Sequence, residues 1–191
     1  MRTSDRIFIG VLAVVAVAWV IWAAQQPAPT PPPSDPRVGT AASTFRLPRL
    51  SDGEVRALED YRNDAVLIDF WATTCPPCRR SIPLIERLVE EHGSAGLSVI
   101  SLNVDMPDPS RNAVVEVFAR DQRMTTDILI DNGRVAYDYD AARIPLVFLL
   151  DRDLKVRHVL RGFKEYEVLD AAVRDTIAAS RGGLAGGGAS L

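Results

Sequence analysis

Between residues 42 and 180 the apolar positions fall into continuous runs of strand length and stripes at helical spacing, in alternation. Ala65 to Ala72 (AVLIDFWA) is almost wholly apolar, as expected of a strand covered on both faces of a sheet, and its one misfit is Asp69. Leu97 to Val104, Thr126 to Ile130 and Leu146 to Leu150 predict further strands, and Leu154 to Leu160 returns from the last of them through the turn Asp151-Arg152-Asp153. Stripes predict helices over Pro76 to Glu91, with Ile82, Ile85, Leu88 and Val89 inward, and over Ser110 to Arg123, with Val114, Val117 and Phe118 inward. A final helix is predicted over Glu165 to Ala179, burying Val168, Leu169, Ala172, Val173 and Ile177. Ahead of them all, Thr44 to Leu50 and Glu54 to Leu58 flank Ser51-Asp52-Gly53 and read as an opening β-hairpin. The sum is an α/β domain, a central mixed sheet flanked by helices with an N-terminal β-hairpin extension.

The ends of the chain follow other rules. Ile7 to Ala24 is an uncharged apolar run that as a helix would extend roughly 27 Å, enough to span a bilayer core of about 30 Å. Arg2 and Arg6 precede it and no positive charge follows until Arg37, so residues 1–24 read as a membrane anchor with a cytoplasmic N-terminus and the domain on the extracytoplasmic side. A cleaved signal is the competing reading, but Trp22 stands where a small residue would be needed. Residues 25–41 begin with six prolines in twelve positions and read as an extended spacer, whereas the Gly-rich residues 181–191 are expected to be disordered. The folded domain is thus expected over 42–180.

Composition narrows the chemistry. With 191 residues the chain suits one well-packed domain, and a net charge of -3 provides no basic field for nucleic acid. Two cysteines and two histidines cannot build a disulfide-dense scaffold or a multi-ligand metal centre, so no metal and no cofactor is expected. The cysteines act as a pair. Cys75-Pro76-Pro77-Cys78 follows an apolar strand and opens an amphipathic helix, placing Cys75 where free amides and the helix dipole favour a thiolate. Cys75 is therefore the expected nucleophile, and Cys78, one turn in, is placed to resolve a mixed disulfide. Pro76 and Pro77 carry no amide hydrogen for the Cys75 sulfur, which predicts a weakly stabilised thiolate and a reducing pair. Arg79 and Arg80 read as solvated helix surface. Asp69 is the candidate general base, since burial raises a carboxyl toward the range of proton transfer, and Trp71 is expected to pack over the pair.

The strand, the motif DFWATTCPPCRRSIP on its helix, and a late Arg143-Ile144-Pro145-Leu146 before a strand together resemble the thioredoxin-like family. Within it they are most similar to membrane-anchored, extracytoplasmic thiol-disulfide oxidoreductases of the TlpA and ResA kind. The resemblance implies a thioredoxin-like fold, Cys75 as attacking and Cys78 as resolving cysteine, and Asp69 at the place of the buried aspartate. It further implies a cis-proline at Pro145 facing the disulfide, with Ile144 presenting its backbone to a substrate in a groove shared with Trp71, Pro76 and Pro77. Thr74 and Ser81 stand where that group commonly has tryptophan and glutamate. The implied partners are disulfide-containing extracytoplasmic proteins and a membrane electron-relay protein, and the implied roles are cytochrome c maturation or reduction of copper-site cysteines. The alternative is a non-catalytic, membrane-tethered module that holds clients in the same groove.

Overall fold

The computed structural model describes residues 35–182. The expected anchor, the part of the spacer before Asp35 and tail residues 183–191 lie outside them. Among the described residues no helix is long and apolar enough to cross a membrane.

Strands β1 (Arg46–Pro48) and β2 (Val55–Ala57) form the opening antiparallel hairpin. A five-stranded sheet follows, built from β3 (Ala65–Trp71), β4 (Leu97–Asn103), β5 (Asp127–Ile130), β6 (Leu146–Leu150) and β7 (Val156–Arg161) in the order β5-β4-β3-β6-β7. Strands β3, β4 and β5 run parallel, whereas β6 and β7 are antiparallel additions, so the sheet is mixed as the hydrophobic runs imply. The helices are α1 (Pro76–His92), α2 (Arg111–Asp121), α3 (Arg134–Asp138) and α4 (Tyr166–Gly182).

β3 lies at the centre and is buried along its whole length. Its alternating side chains feed different cores. Val66, Ile68 and Phe70 meet Phe148, Leu47 of the hairpin, Leu58 just after it, and Tyr139 just past α3. Ala65 and Leu67 meet Ile85 and Leu88 of α1 and Leu169, Val173 and Ile177 of α4. At the C-terminal end of the strand, Trp71 joins Cys75, Cys78 and Ile82 to Val115, Phe118 and Ala119 of α2.

Two local expectations are corrected, and one helix is added. On α2 the buried stripe is Val115, Phe118 and Ala119, while Val114 and Val117 are 51% and 54% exposed. The stripes share Phe118, whose ring stacks 5.3 Å from Trp71, and the observed one turns the helix so that Val115 and Ala119 join that cluster in place of Val114 and Val117. Val168 of α4 is also exposed, and Thr176 takes a buried place beside Val173 and Ile177. Helix α3 was not expected from the hydrophobic pattern. The buried Asp131 carboxylate accepts the amides of Val135 and Ala136 at 3.1 and 3.0 Å and so caps a helix that composition alone conceals.

The domain boundaries also move outward. Residues 35–41 were expected in the spacer, yet Gly39 and Ala42 donate to Val156 and Leu154, and Val156 donates back to Thr40. Arg37 fixes this strap, with its guanidinium 4.8 Å from the Phe148 ring centroid and donating to the Tyr139 carbonyl at 2.6 Å. At the other end α4 continues through Gly182, so residues 181 and 182 belong to the helix and not to the tail.

The α2 face is checked by urea unfolding. Val115→Ala should destabilise the domain by about 1–3 kcal/mol through lost packing, and Val117→Ser by less than about 0.5 kcal/mol. The reverse order would restore the originally expected face.

Candidate active site

The apolar run of β3 ends at Trp71, whose carbonyl still accepts the Val104 amide at 2.9 Å, and the chain then turns into α1. Cys75 is the N-cap of that helix in an extended conformation, and its Sγ accepts the Cys78 amide at 3.2 Å. Pro76 and Pro77 occupy the first turn, where a missing amide leaves no helical bond unmade. They also leave the sulfur without two donors that most sequences would offer. Cys75 and Cys78 are joined by a disulfide with an S–S length of 2.05 Å. Cys75 is 8% exposed and Cys78 1%, so Cys75 is the more accessible of the pair.

Trp71 lies beneath the pair and not beside it. It is fully buried, so the expected packing against the cysteines is present but the indole provides no open groove wall. Its ring stacks on Phe118, and the Arg79 guanidinium covers Phe118 at 4.9 Å. Arg79 also donates to the Thr73 carbonyl at 3.0 Å. It is therefore a fixed brace for the turn before Cys75 and not free helix surface. Arg80 stays exposed, over the Phe163 ring.

Asp69 sits two residues before Trp71 on the same face of β3, in register with Ser101 and Val147. It is 2% exposed, and its Oδ1 has no hydrogen-bond partner. Along this face Leu67 packs on Ile85 and Leu88, and Trp71 packs on Cys78 and Ile82, so Asp69 lies between two contacts that β3 makes with α1. Ser101, the neighbouring hydroxyl in register, pairs instead with Thr126 at 2.7 Å. Burial with no compensating charge pushes the Asp69 carboxyl up to about 7.

The Ile144–Pro145 bond is cis, as the resemblance implies. Ile144 packs against the cluster holding Trp71, Cys75 and Cys78, and the buried Pro145 accepts the Gly162 amide at 2.8 Å. Pro76 is exposed and Pro77 half-buried on the same rim. Thus the structure brings Cys75, Cys78, Trp71 and Ile144 into one cluster, places Asp69 behind it, and leaves Pro76 at its surface. A cavity of about 650 Å³ opens beside Ile144, lined also by Asp140, Ala142, Arg143, Arg161 and Gly162. A smaller one of about 260 Å³, lined by Thr73, Thr74, Asp105, Met106, Arg111 and Val114 among others, opens beside the turn before Cys75.

The sequence reading missed the polar support of that turn. Asp105 accepts the Thr73 amide with both oxygens, at 3.2 and 3.1 Å, and Asn103 Nδ2 donates to Asp105 Oδ2 at 3.0 Å. Arg111 donates to the carbonyls of Asp105 and Asp131 and ties the neighbouring loops together. The only sequence signal was Asn103, a polar residue ending a buried strand beside the one that carries Asp69.

The model of the AhpC/TSA family matches residues 38–159 of the chain. The chain belongs to this thioredoxin-like family. AhpC/TSA relatives include the Geobacillus kaustophilus thiol-disulfide oxidoreductase ResA, 34% identical over 65% of this chain and 70% of the relative. The Bacillus subtilis thioredoxin-like protein YneN is 36% identical over 59% of this chain and 65% of its own length. Among solved structures, a Chlorobium tepidum protein provisionally described as the thiol:disulfide interchange protein DsbE superposes with a TM-score of 0.67. It is 26% identical, over 75% of this chain and 99% of that one. The thioredoxin-like fold expected of the sequence is the fold observed.

The raised Asp69 value has a thermodynamic consequence of definite sign. Below the ordinary carboxyl value of 3.8 the group is neutral in both folded and unfolded chains and adds no ionisation cost to folding. As pH rises toward about 7 the unfolded chain ionises while the folded one resists, so stability falls, and above about 7 the loss is constant. Urea unfolding of the oxidised protein should therefore show Asp69→Asn gaining on the parent by about 2–4 kcal/mol between about pH 4 and pH 7. A difference that stays flat across that range would mean that Asp69 ionises normally.

Proposed function

We propose that this thiol-disulfide oxidoreductase reduces disulfides in client proteins outside the cytoplasm. In this reading residues 1–24 anchor it to the membrane and a membrane protein relays electrons to it. The clients suit cytochrome c maturation or the upkeep of copper-site cysteines, as in the group that the sequence resembles. The observation that carries the reading is the order of exposure, 8% for Cys75 against 1% for Cys78, at the start of a helix. It is joined by relatives named as thiol-disulfide oxidoreductases.

In the reduced protein the Cys75 thiolate attacks one sulfur of the client disulfide. One client thiolate leaves and takes a proton from solvent, and Cys75 is left in a mixed disulfide. Cys78 then loses its proton and attacks Cys75 Sγ, which breaks the mixed disulfide and releases the second client thiolate. The client has gained two electrons and the pair is again a disulfide, to be reduced by the dithiol of the relay protein. Asp69 is the group behind α1 able to accept the Cys78 proton, because a carboxyl near 7 is ionised often enough to act as a base and basic enough to hold the proton.

Trapping separates catalysis from a tethered holding function. Cys78→Ser should accumulate mixed disulfides through Cys75, while clients that remain bound after both cysteines are replaced would favour the holding module. With a preformed mixed disulfide, Asp69→Asn should slow resolution by about 10- to 100-fold and change the first attack much less. Resolution at the parental rate would remove Asp69 from the proton path.

A further inference from the structure

We propose that Arg143 and the cavity beside it select client segments carrying a carboxylate next to the cysteine under attack. This rests on the reductase reading above and narrows its substrate class. The cavity of about 650 Å³ adjoins Ile144, which packs against the cysteine cluster, so chain leaving a client cysteine held at Cys75 has this hollow next to it. Its charged lining is Asp140, Arg143 and Arg161. Arg161 binds Asp140 at 3.0 Å and reaches Asp35 at 3.4 Å, so Asp140 is already neutralised from within. Arg143 is exposed and, among the described residues, has neither a carboxylate within ion-pair distance nor a side-chain hydrogen bond.

The surroundings reinforce that sign. Arg80, over the Phe163 ring, and Lys164, whose Nζ donates to the Arg161 carbonyl at 2.6 Å, flank the same connection from β7 to α4. Among the described residues neither has a carboxylate partner, although the whole chain carries a net charge of -3. Gly162, in that connection, donates to Pro145, which joins this basic rim to the cis-proline loop. Arginine presents parallel donors that match a carboxylate in a bidentate fork, and a concave wall strengthens such a pair over one in open water. A basic client residue would meet the unpaired Arg143, while the lining carboxylate, Asp140, is already held by Arg161.

The test uses the reduced full-length chain in detergent and three disulfide-linked peptides that differ only in having Glu, Gln or Lys beside the cysteine. At low salt the Glu peptide should be reduced about three- to fivefold faster than the Gln peptide, and the Lys peptide slowest. Arg143→Gln should bring the Glu-to-Gln ratio to about one, while Arg157→Gln, an exposed β7 position outside the cavity lining, should preserve it. Equal rates for Glu and Lys peptides, or a preference that survives Arg143→Gln, would overturn the assignment. Failure to reduce any of the peptides would count against the reductase reading alone. Selectivity is then read from the binding of cysteine-free Glu and Gln peptides, which should differ by a similar factor in the parent and not in Arg143→Gln, and equal affinities in the parent would overturn it.

Discussion

Strand β3 is hydrogen-bonded along both edges and covered on both faces, so each polar group along it must find a partner inside the protein or go without. The backbone groups at its exit find partners. The Trp71 carbonyl takes the Val104 amide, the Thr73 amide takes the Asp105 carboxylate, and the Thr73 carbonyl takes Arg79. These bonds fix where the strand stops and α1 begins, and with that the position of Cys75. The Trp71 indole Nε1 and Asp69 Oδ1 go without, and burial with no compensating partner raises the Asp69 carboxyl.

The two halves of the site follow from this placement. On the outer side Cys75 Sγ meets the Cys78 amide, because the two positions between them are prolines. A sulfur with few donors holds negative charge poorly, which favours the disulfide over the dithiolate and makes the pair a donor of electrons. On the inner side, an unpaired carboxyl lies under α1, where the buried Trp71 and Ile82 separate it from the surface, and can take up a proton there. In the proposed cycle the first feature sets the direction of electron flow and the second the speed of resolution.

Much of this was legible from local pattern. A strand buried on both faces is written as an unbroken apolar run, so β3 and its misfit Asp69 could be read directly, as could the cysteines at the start of α1. The support of the active-site turn was not legible, because Thr73, Asn103, Asp105 and Arg111 meet only when β3 and β4 lie side by side. The face of α2 was misread because both stripes contain Phe118, and the choice of Val115 and Ala119 over Val114 and Val117 is made by packing against distant partners, Trp71, Ile128 and Ile130. The strap through Arg37 was hidden in a composition that reads as spacer, since its hold comes from distant partners, the Tyr139 carbonyl and the Phe148 ring.

Reductase and oxidase versions of this chemistry share the fold and the cysteine spacing and differ in how well the protein stabilises the free thiolate. The direct measurement is the reduction potential of the Cys75–Cys78 couple, obtained by equilibrating the full-length chain in glutathione buffers of graded ratio. A sulfur facing two prolines predicts a potential below about -180 mV, on the reducing side of protein disulfide isomerase. A potential near about -120 mV, that of a strong oxidant such as DsbA, would contradict it and make this protein a donor of disulfides.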